Sequence, residues 1–303
     1  MPIQMCNRSK GMARGLKLYD SRLAWALIAP TLLLLTLFLV LPIIVMAAYT
    51  FFTFVTAGVE TSALTLANWK EFLFDTYYHG FLWKTVRVGA MTAILCALVG
   101  YFPAYFIWST TFRHKWLLLL LLIVPFWISF TIRTFSWIHI LGEQGLINVV
   151  LLRAGVIHEP MPMLYTEGAV IMGLLHFLLP YMILNVYVSL ESIDRKLISA
   201  ARSMGCTSAQ AFREVTLPLS LPGLGAGLLL CFVLAAGSYV TPQLLGGSRD
   251  ALFGNLIYDT IMSQLNWPMG ATLSIVLFVL LGCFAAAYTR YMGMSQIMRG
   301  LGG

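Results

Sequence analysis

Apolar residues fall in six long runs, at about 23–50, 84–108, 116–140, 168–190, 220–244 and 271–293, with short polar stretches between them. Each is long enough for a helix to cross a hydrocarbon core about 30 Å thick, which takes roughly 20 residues. Lipid offers no partner to an open backbone, so the runs predict six transmembrane helices and an all-α integral membrane fold. All but the last carry proline (Pro30 and Pro42, Pro103, Pro125, Pro180, Pro242), which predicts kinked helices packed around something rather than lone anchors. The first run follows Arg8, Lys10, Arg14, Lys17 and Arg22, as a secretory signal would. A signal core has about 7–15 apolar residues; this run is much longer and reads as an uncleaved span.

Composition agrees with the pattern. Of 303 residues, 59% are hydrophobic and only 10% charged, with mean hydropathy +0.84. Soluble domains carry about 25% charged residues, so a water-soluble enzyme is excluded. The charge of +7 would suit nucleic acid, but its placement fits lipid head groups better. Thirteen of the 19 basic residues sit on one side of a six-span layout: the five before the first span, Arg113 and Lys115, Arg195, Lys196, Arg202 and Arg213, then Arg290 and Arg299. The positive-inside bias puts both termini in the cytoplasm. The expected layout is a basic tail 1–22, a transmembrane domain 23–293 and a tail 294–303. Trp25, Trp83, Trp108, Trp116, Trp137 and Trp267 read as aromatic-belt residues. The five cysteines are scattered without metal-ligand spacing and read as structural, and neither a metal nor another cofactor is expected.

No energy source is visible. A phosphate-cradling P-loop needs Gly before its Lys, and none of the six lysines follows a glycine. All twelve acids lie in tails, loops or at span edges, so the buried carboxylates of an ion-coupled carrier are missing. No Ser/His or His/Asp/Glu cluster points to a catalytic residue. Uphill transport by this chain would therefore draw its energy from another subunit.

The segment 191–223 lies on the expected cytoplasmic side. Leu197, Ala201 and Met204 recur at helical spacing up to Gly205, where a helix would end. Thr207-x-x-Gln210 then has capping-box spacing for a second helix that would present Phe212 and Val215 before Pro218 and Pro222 halt it. Exposed apolar residues there lie on lipid or dock into a partner.

Ser199-Ala200-Ala201-x-x-x-Gly205, nine residues, then Val215-x-Leu217-Pro218 resembles the EAA loop of binding-protein-dependent ABC importer permeases. The family pattern has Glu at Ser199 and Ile at Val215. In that family the loop is a coupling helix seated in a cytoplasmic ATPase. The resemblance runs from about 80 to 292. FWISFTIRTFSWIHILGEQGLIN (126–148), SYVTPQLLGG (238–247) and NWPMGA (266–271) look like spermidine/putrescine permeases. It implies the type-1 importer membrane fold in a bacterial inner membrane. The implied partners are a second permease chain, a pair of ATPase subunits and a periplasmic binding protein that delivers the solute. Site residues carried over to the ATPase-coupling loop 191–218 are Ser199, Ala200, Ala201, Gly205, Phe212, Val215, Leu217 and Pro218.

Candidate pathway residues are Trp127, Arg133, Ser238, Tyr239, Thr241, Gln243 and Asp259. Polar groups beside Pro242 suggest either a broken helix lining a water-filled cavity or hydrogen bonding between spans. Arg133 either snorkels to the outer head groups or pairs with a carboxylate at the outer mouth. His176 reads as a hydrogen-bonded interior residue or a relay. In the loop 246–270, Leu252, Leu256 and Ile261 predict a short helix dipping toward the pathway. A polyamine is the implied solute; an amino-acid derivative or opine is the alternative, since little acid lines the expected path. A secondary carrier and a membrane-embedded enzyme are the rival classes.

Overall fold

The structure is a computed structural model that describes residues 21–55, 58–60, 64–110 and 113–301, with side chains over 28–55, 64–110 and 113–290. The tail 1–20, the Trp25 side chain and the side chains of 291–303 lie outside the described residues.

Among the described residues six helical stretches are long and apolar enough to cross a membrane, the third of them Phe130–Arg153, which a shorter apolar helical stretch, Lys115–Trp127, precedes. The first is α1 (Ser21–Leu35), a π-helical turn (Thr36–Val40) and α2 (Leu41–Tyr49). Leu41 N–H reaches back five residues to the Thr36 carbonyl just before Pro42, so the extra residue of the π turn falls where proline would break an α ladder. A small antiparallel hairpin, β1 (Thr53–Val55) and β2 (Gly58–Glu60), and a short helix α3 (Ala67–Phe74) lead to α4 (Thr76–Ser109). The Asp75 side chain caps α4 by accepting from Tyr77 N–H.

The third run was expected to be one helix over 116–140. Instead α5 (Lys115–Ile123) passes through a 3₁₀ turn (Val124–Trp127), and α6 (Phe130–Leu141) restarts after extended residues Ile128 and Ser129. Pro125 has no N–H for the α ladder, and Ile128 N–H bonds the Pro125 carbonyl at 3.2 Å in its place. Together α5 and α6 run antiparallel to α8 (Glu167–Glu191). Lys115 pairs with Glu191 at 3.2 Å, Phe126 meets Tyr181 and Phe130 meets Phe177, and Leu141 packs with Ala169. These pairings place the crossing between Lys115 and Leu141. A separate helix α7 (Leu146–Arg153) follows.

After α8 come α9 (Arg195–Ser203), α10 (Ser208–Ala211), a second π turn (Phe212–Thr216) and α11 (Leu217–Ala236). The chain continues as α12 (Val240–Leu245), α13 (Phe253–Met262) and α14 (Trp267–Leu301). The core is the bundle of α4, α8 and α11, where Val88, Cys96, Leu174, Leu178, Met182, Val186 and Cys231 are all but fully buried. Small residues let these helices approach closely. A Cβ on Gly223 would lie 2.2 Å from Ser189 Cβ and 2.6 Å from the Asn185 carbonyl oxygen. The first crossing, by contrast, has no buried side chain in its apolar window and meets the rest through α2 against α14.

Two ends follow from the pairings. One carries Lys115–Glu191 and the 192–216 elbow. The other carries Lys84–Asp250 and Arg87–Glu167.

Candidate functional site

At the elbow end, local chemistry sets the shape. The Asp194 side chain accepts from Lys196 N–H at 2.9 Å and starts α9. Gly205 ends it at φ +94°, in the left-handed region, with its N–H on the Arg202 carbonyl and Cys206 N–H on the Ala201 carbonyl. Thr207 and Gln210 form the expected capping box: Gln210 N–H donates to Thr207 Oγ1 at 3.3 Å, and Thr207 N–H to Gln210 Oε1 at 2.8 Å. The helix–bend–helix read from the sequence is therefore present. Ser199 and Ala200 are exposed, Ala201 is buried, and Leu197 and Met204 stand 51% and 80% exposed. These two form the outward apolar face.

Pro218 and Pro222 do not stop the second helix. Leu217 N–H bonds the Phe212 carbonyl five residues back, so the π turn absorbs Pro218 and the chain runs on as α11, with Pro222 inside it. One added residue rotates the following side chains by about 100°. Phe212 and Val215 do not face outward. Val215 is half-buried, and Phe212 sits edge-on against Tyr105 at 5.1 Å and Tyr101 at 6.0 Å. Leu217 and Pro218 are half-buried at the start of α11. Arg195, which in the sequence is one basic residue of the cytoplasmic set, stacks its guanidinium over Trp108 at 5.3 Å and donates to the Trp108 carbonyl at 2.8 Å. Trp108 is buried, not a belt residue.

At the opposite end the fifth crossing breaks. α11 finishes at Ala236, Gly237–Tyr239 leave the helix, and α12 resumes at Val240. Asn255, buried on α13, holds the break: its Nδ2 donates to the Tyr239 carbonyl at 2.8 Å and to Gln243 Oε1 at 3.1 Å. Its Oδ1 accepts from Leu252 N–H at 3.1 Å. Tyr239 stacks on Tyr258 with centroids 5.2 Å apart and planes 12° from parallel. Both rings are somewhat over 40% exposed, and Gln243 and Asp259 are exposed beside them in sequence. The structure thus joins Tyr239, Gln243 and α13, the short helix expected in 246–270. Ser238 is half-buried in the break, while Thr241 is fully buried with an unpartnered Oγ1. Trp127, 79% exposed on the 3₁₀ turn, takes no part in these contacts. Nothing in the local sequence marks Asn255 or Tyr258. Only packing shows that they face the break.

Arg133 on α6 lies 5.6 Å from the Phe177 ring and 6.0 Å from the Phe126 ring. Its Nε and Nη1 are buried without hydrogen-bond partners, and none of the ion pairs among the described residues includes it. The guanidinium lies beside two aromatic rings, and no carboxylate among the described residues pairs with it. His176 accepts a hydrogen bond from Trp137 Nε1 at 3.1 Å, so it is hydrogen-bonded as expected, but it is exposed on α8 rather than interior.

Comparison with known proteins places this arrangement. Residues 21–291 match the family model described as the binding-protein-dependent transport system inner membrane component. The spermidine/putrescine transport system permease protein PotB of Haemophilus influenzae is 35% identical over 256 residues, covering 84% of this chain and 89% of that protein. PotB of Escherichia coli is 35% identical over the same length, covering 84% of this chain and 93% of its own. Among solved structures, a chain of a bacterial ABC transporter that imports the acidic polysaccharide alginate superposes with TM-score 0.73 at 15% identity, covering 93% of this chain and 98% of that one. The fold is that of the type-1 ABC importer permeases.

Proposed function

This chain belongs to the binding-protein-dependent transport system inner membrane components, and from that premise we propose that it forms half of the translocation path of an ATP-driven importer for a small polar solute, with a polyamine as the leading candidate. The observation that carries the reading is the elbow. A preformed helix–Gly205–helix unit presents Ser199 and Ala200 with the outward apolar Leu197 and Met204, the shape and chemistry of a plug for a groove in a partner protein. Ser199 in place of the family Glu leaves docking to this apolar face rather than to an ion pair. The elbow end faces the cytoplasm, where the basic residues gather, and a pair of ATPase subunits grips it there. Both termini share that side. A second, similar permease chain completes the path, and a periplasmic binding protein delivers the solute at the opposite end.

The polyamine reading draws on the PotB relatives and on the site at that end. The exposed Tyr239–Tyr258 stack offers π faces to an ammonium group, and Asp259 adjoins it. The second reading, an amino-acid derivative or opine, is favoured by Arg133. A guanidinium on a membrane-spanning segment, without an ion pair among the described residues, would hold a solute carboxylate and repel a polycation.

The test is uptake into proteoliposomes holding the permease pair, its ATPase and its binding protein. ATP-dependent accumulation of labelled spermidine or putrescine is expected. Accumulation of a carboxylate-bearing solute only would shift the substrate to the second reading. Gradient-driven uptake without the ATPase would refute the importer reading.

A further inference from the structure

Both arms of the elbow are fastened to the same strip of one helix. Tyr101, Tyr105 and Trp108 recur at four- and three-residue spacing on α4 and share a face. The leaving arm places Phe212 against Tyr101 and Tyr105. The entering arm lays Arg195 on Trp108 and bonds its carbonyl. Tyr105 and Trp108 touch each other at 5.7 Å, and Tyr101 Oη shares a 2.8 Å hydrogen bond with the fully buried Ser220 Oγ of α11. The grip straddles Pro103, so the one weak point of the α4 ladder lies inside the held strip.

The far end of α4 holds the outer site. Thr85 Oγ1, fully buried, accepts from Phe253 N–H at 2.8 Å, at the first residue of α13. One residue earlier, Lys84 Nζ pairs with Asp250 at 2.9 Å and donates to the Arg249 carbonyl. α13 carries Asn255 and Tyr258, the residues that set the break and the stacked tyrosines. From Thr85 to Tyr101 is sixteen residues of unbroken helix, roughly 24 Å at 1.5 Å per residue.

We propose that α4 is the transmission rod of the importer: elbow motion enters through Phe212 and Arg195 at Tyr101–Trp108 and leaves through Thr85 and Lys84 to α13, which opens or closes the solute path at Tyr239 and Tyr258. This rests on the coupling reading above and names the route that the motion takes. Phe212 and Thr85 are positioning residues at the two ends of one path. Loss of either therefore separates ATP hydrolysis from transport, and loss of both does little more than loss of one.

The experiment measures solute moved per ATP hydrolysed in proteoliposomes of the whole complex, with binding protein present, for Phe212→Ala, Thr85→Val and the double variant. Each single variant is expected to lower that ratio roughly fivefold with hydrolysis retained, and the double to fall no further than about twice the larger single effect, as for two sites on one path. Phe212→Tyr keeps the ring, and the apolar cavity of about 240 Å³ lined by Tyr101, Phe102, Tyr105 and Phe212 has room for its hydroxyl. It is expected to restore the ratio to within about twofold of the parent. A ratio unchanged in either single variant, multiplying effects in the double, or hydrolysis and uptake falling in parallel would overturn the rod. If the unsubstituted complex neither binds an ATPase nor hydrolyses ATP, the coupling reading itself fails, whatever the variants do.

Discussion

The elbow and the outer site are both breaks in helices, yet they are built from opposite materials. The elbow bends at Gly205 and restarts at a capping box within five residues of chain, so its hydrogen bonds join near neighbours. The outer break at Gly237–Tyr239 is held from another helix, by Asn255, by the Tyr258 stack and by α13's attachment to Thr85. A bend fixed locally keeps its shape while its surroundings move, as a part gripped by a motor must. A bend fixed by distant contacts changes when those contacts shift, as a gate must. On the function proposed above, the elbow would set turnover and the outer site solute affinity.

The division is tested most severely at Gly205. Gly205→Val forces a β-branched residue to a φ of +94°, a strain of about 1–3 kcal/mol, and ATP-driven uptake should fall at least tenfold with membrane insertion unchanged by extraction assay. On the outer side, Asn255→Ala leaves the Leu252 N–H without a partner, at about 1–3 kcal/mol, and takes from the Tyr239 carbonyl one of its two hydrogen bonds, the other being from Gln243 N–H. KM for uptake should rise by roughly tenfold while ATP hydrolysis keeps its rate; hydrolysis falling with KM unmoved would erase the distinction. Thr207→Ala removes the cap of α10, worth about 1 kcal/mol. Uptake velocity should drop about fivefold with little change in KM. The smallest effect is expected for Tyr258→Leu. It deletes a stacking contact worth about 0.5–1.5 kcal/mol and should raise KM a few-fold for a polyamine, with hydrolysis again unaffected.

How far the sequence showed this follows from the same contrast. Six crossings could be read because a helix in lipid needs only a long apolar run, and the elbow because Gly205, Thr207 and Gln210 act on their immediate neighbours. The chain's behaviour at proline was not legible. Pro125 breaks a crossing that read as one helix, whereas Pro218 interrupts nothing, because a π turn preceding it supplies the spare residue. Phe212 lies inward against Tyr105 of α4, against the expectation that it faces a partner. Tyr239 and Gln243 stood out as polar residues near Pro242, but Asn255 and Tyr258 become visible only when α13 is folded against them. In the sequence Arg133 shows only its charge and its depth in the third run, and its seat between Phe126 and Phe177 depends on α6 restarting where it does.

The central claim is that the elbow is where a separate motor takes hold, and a photo-cross-linking amino acid in place of the exposed Ser199 tests it most directly. In membranes containing the whole complex, irradiation should yield one protein adduct of the mass expected for this chain plus an ATPase subunit, with a yield that changes when ATP is added. Adducts with lipid alone, or with the binding protein on the opposite side, would contradict it.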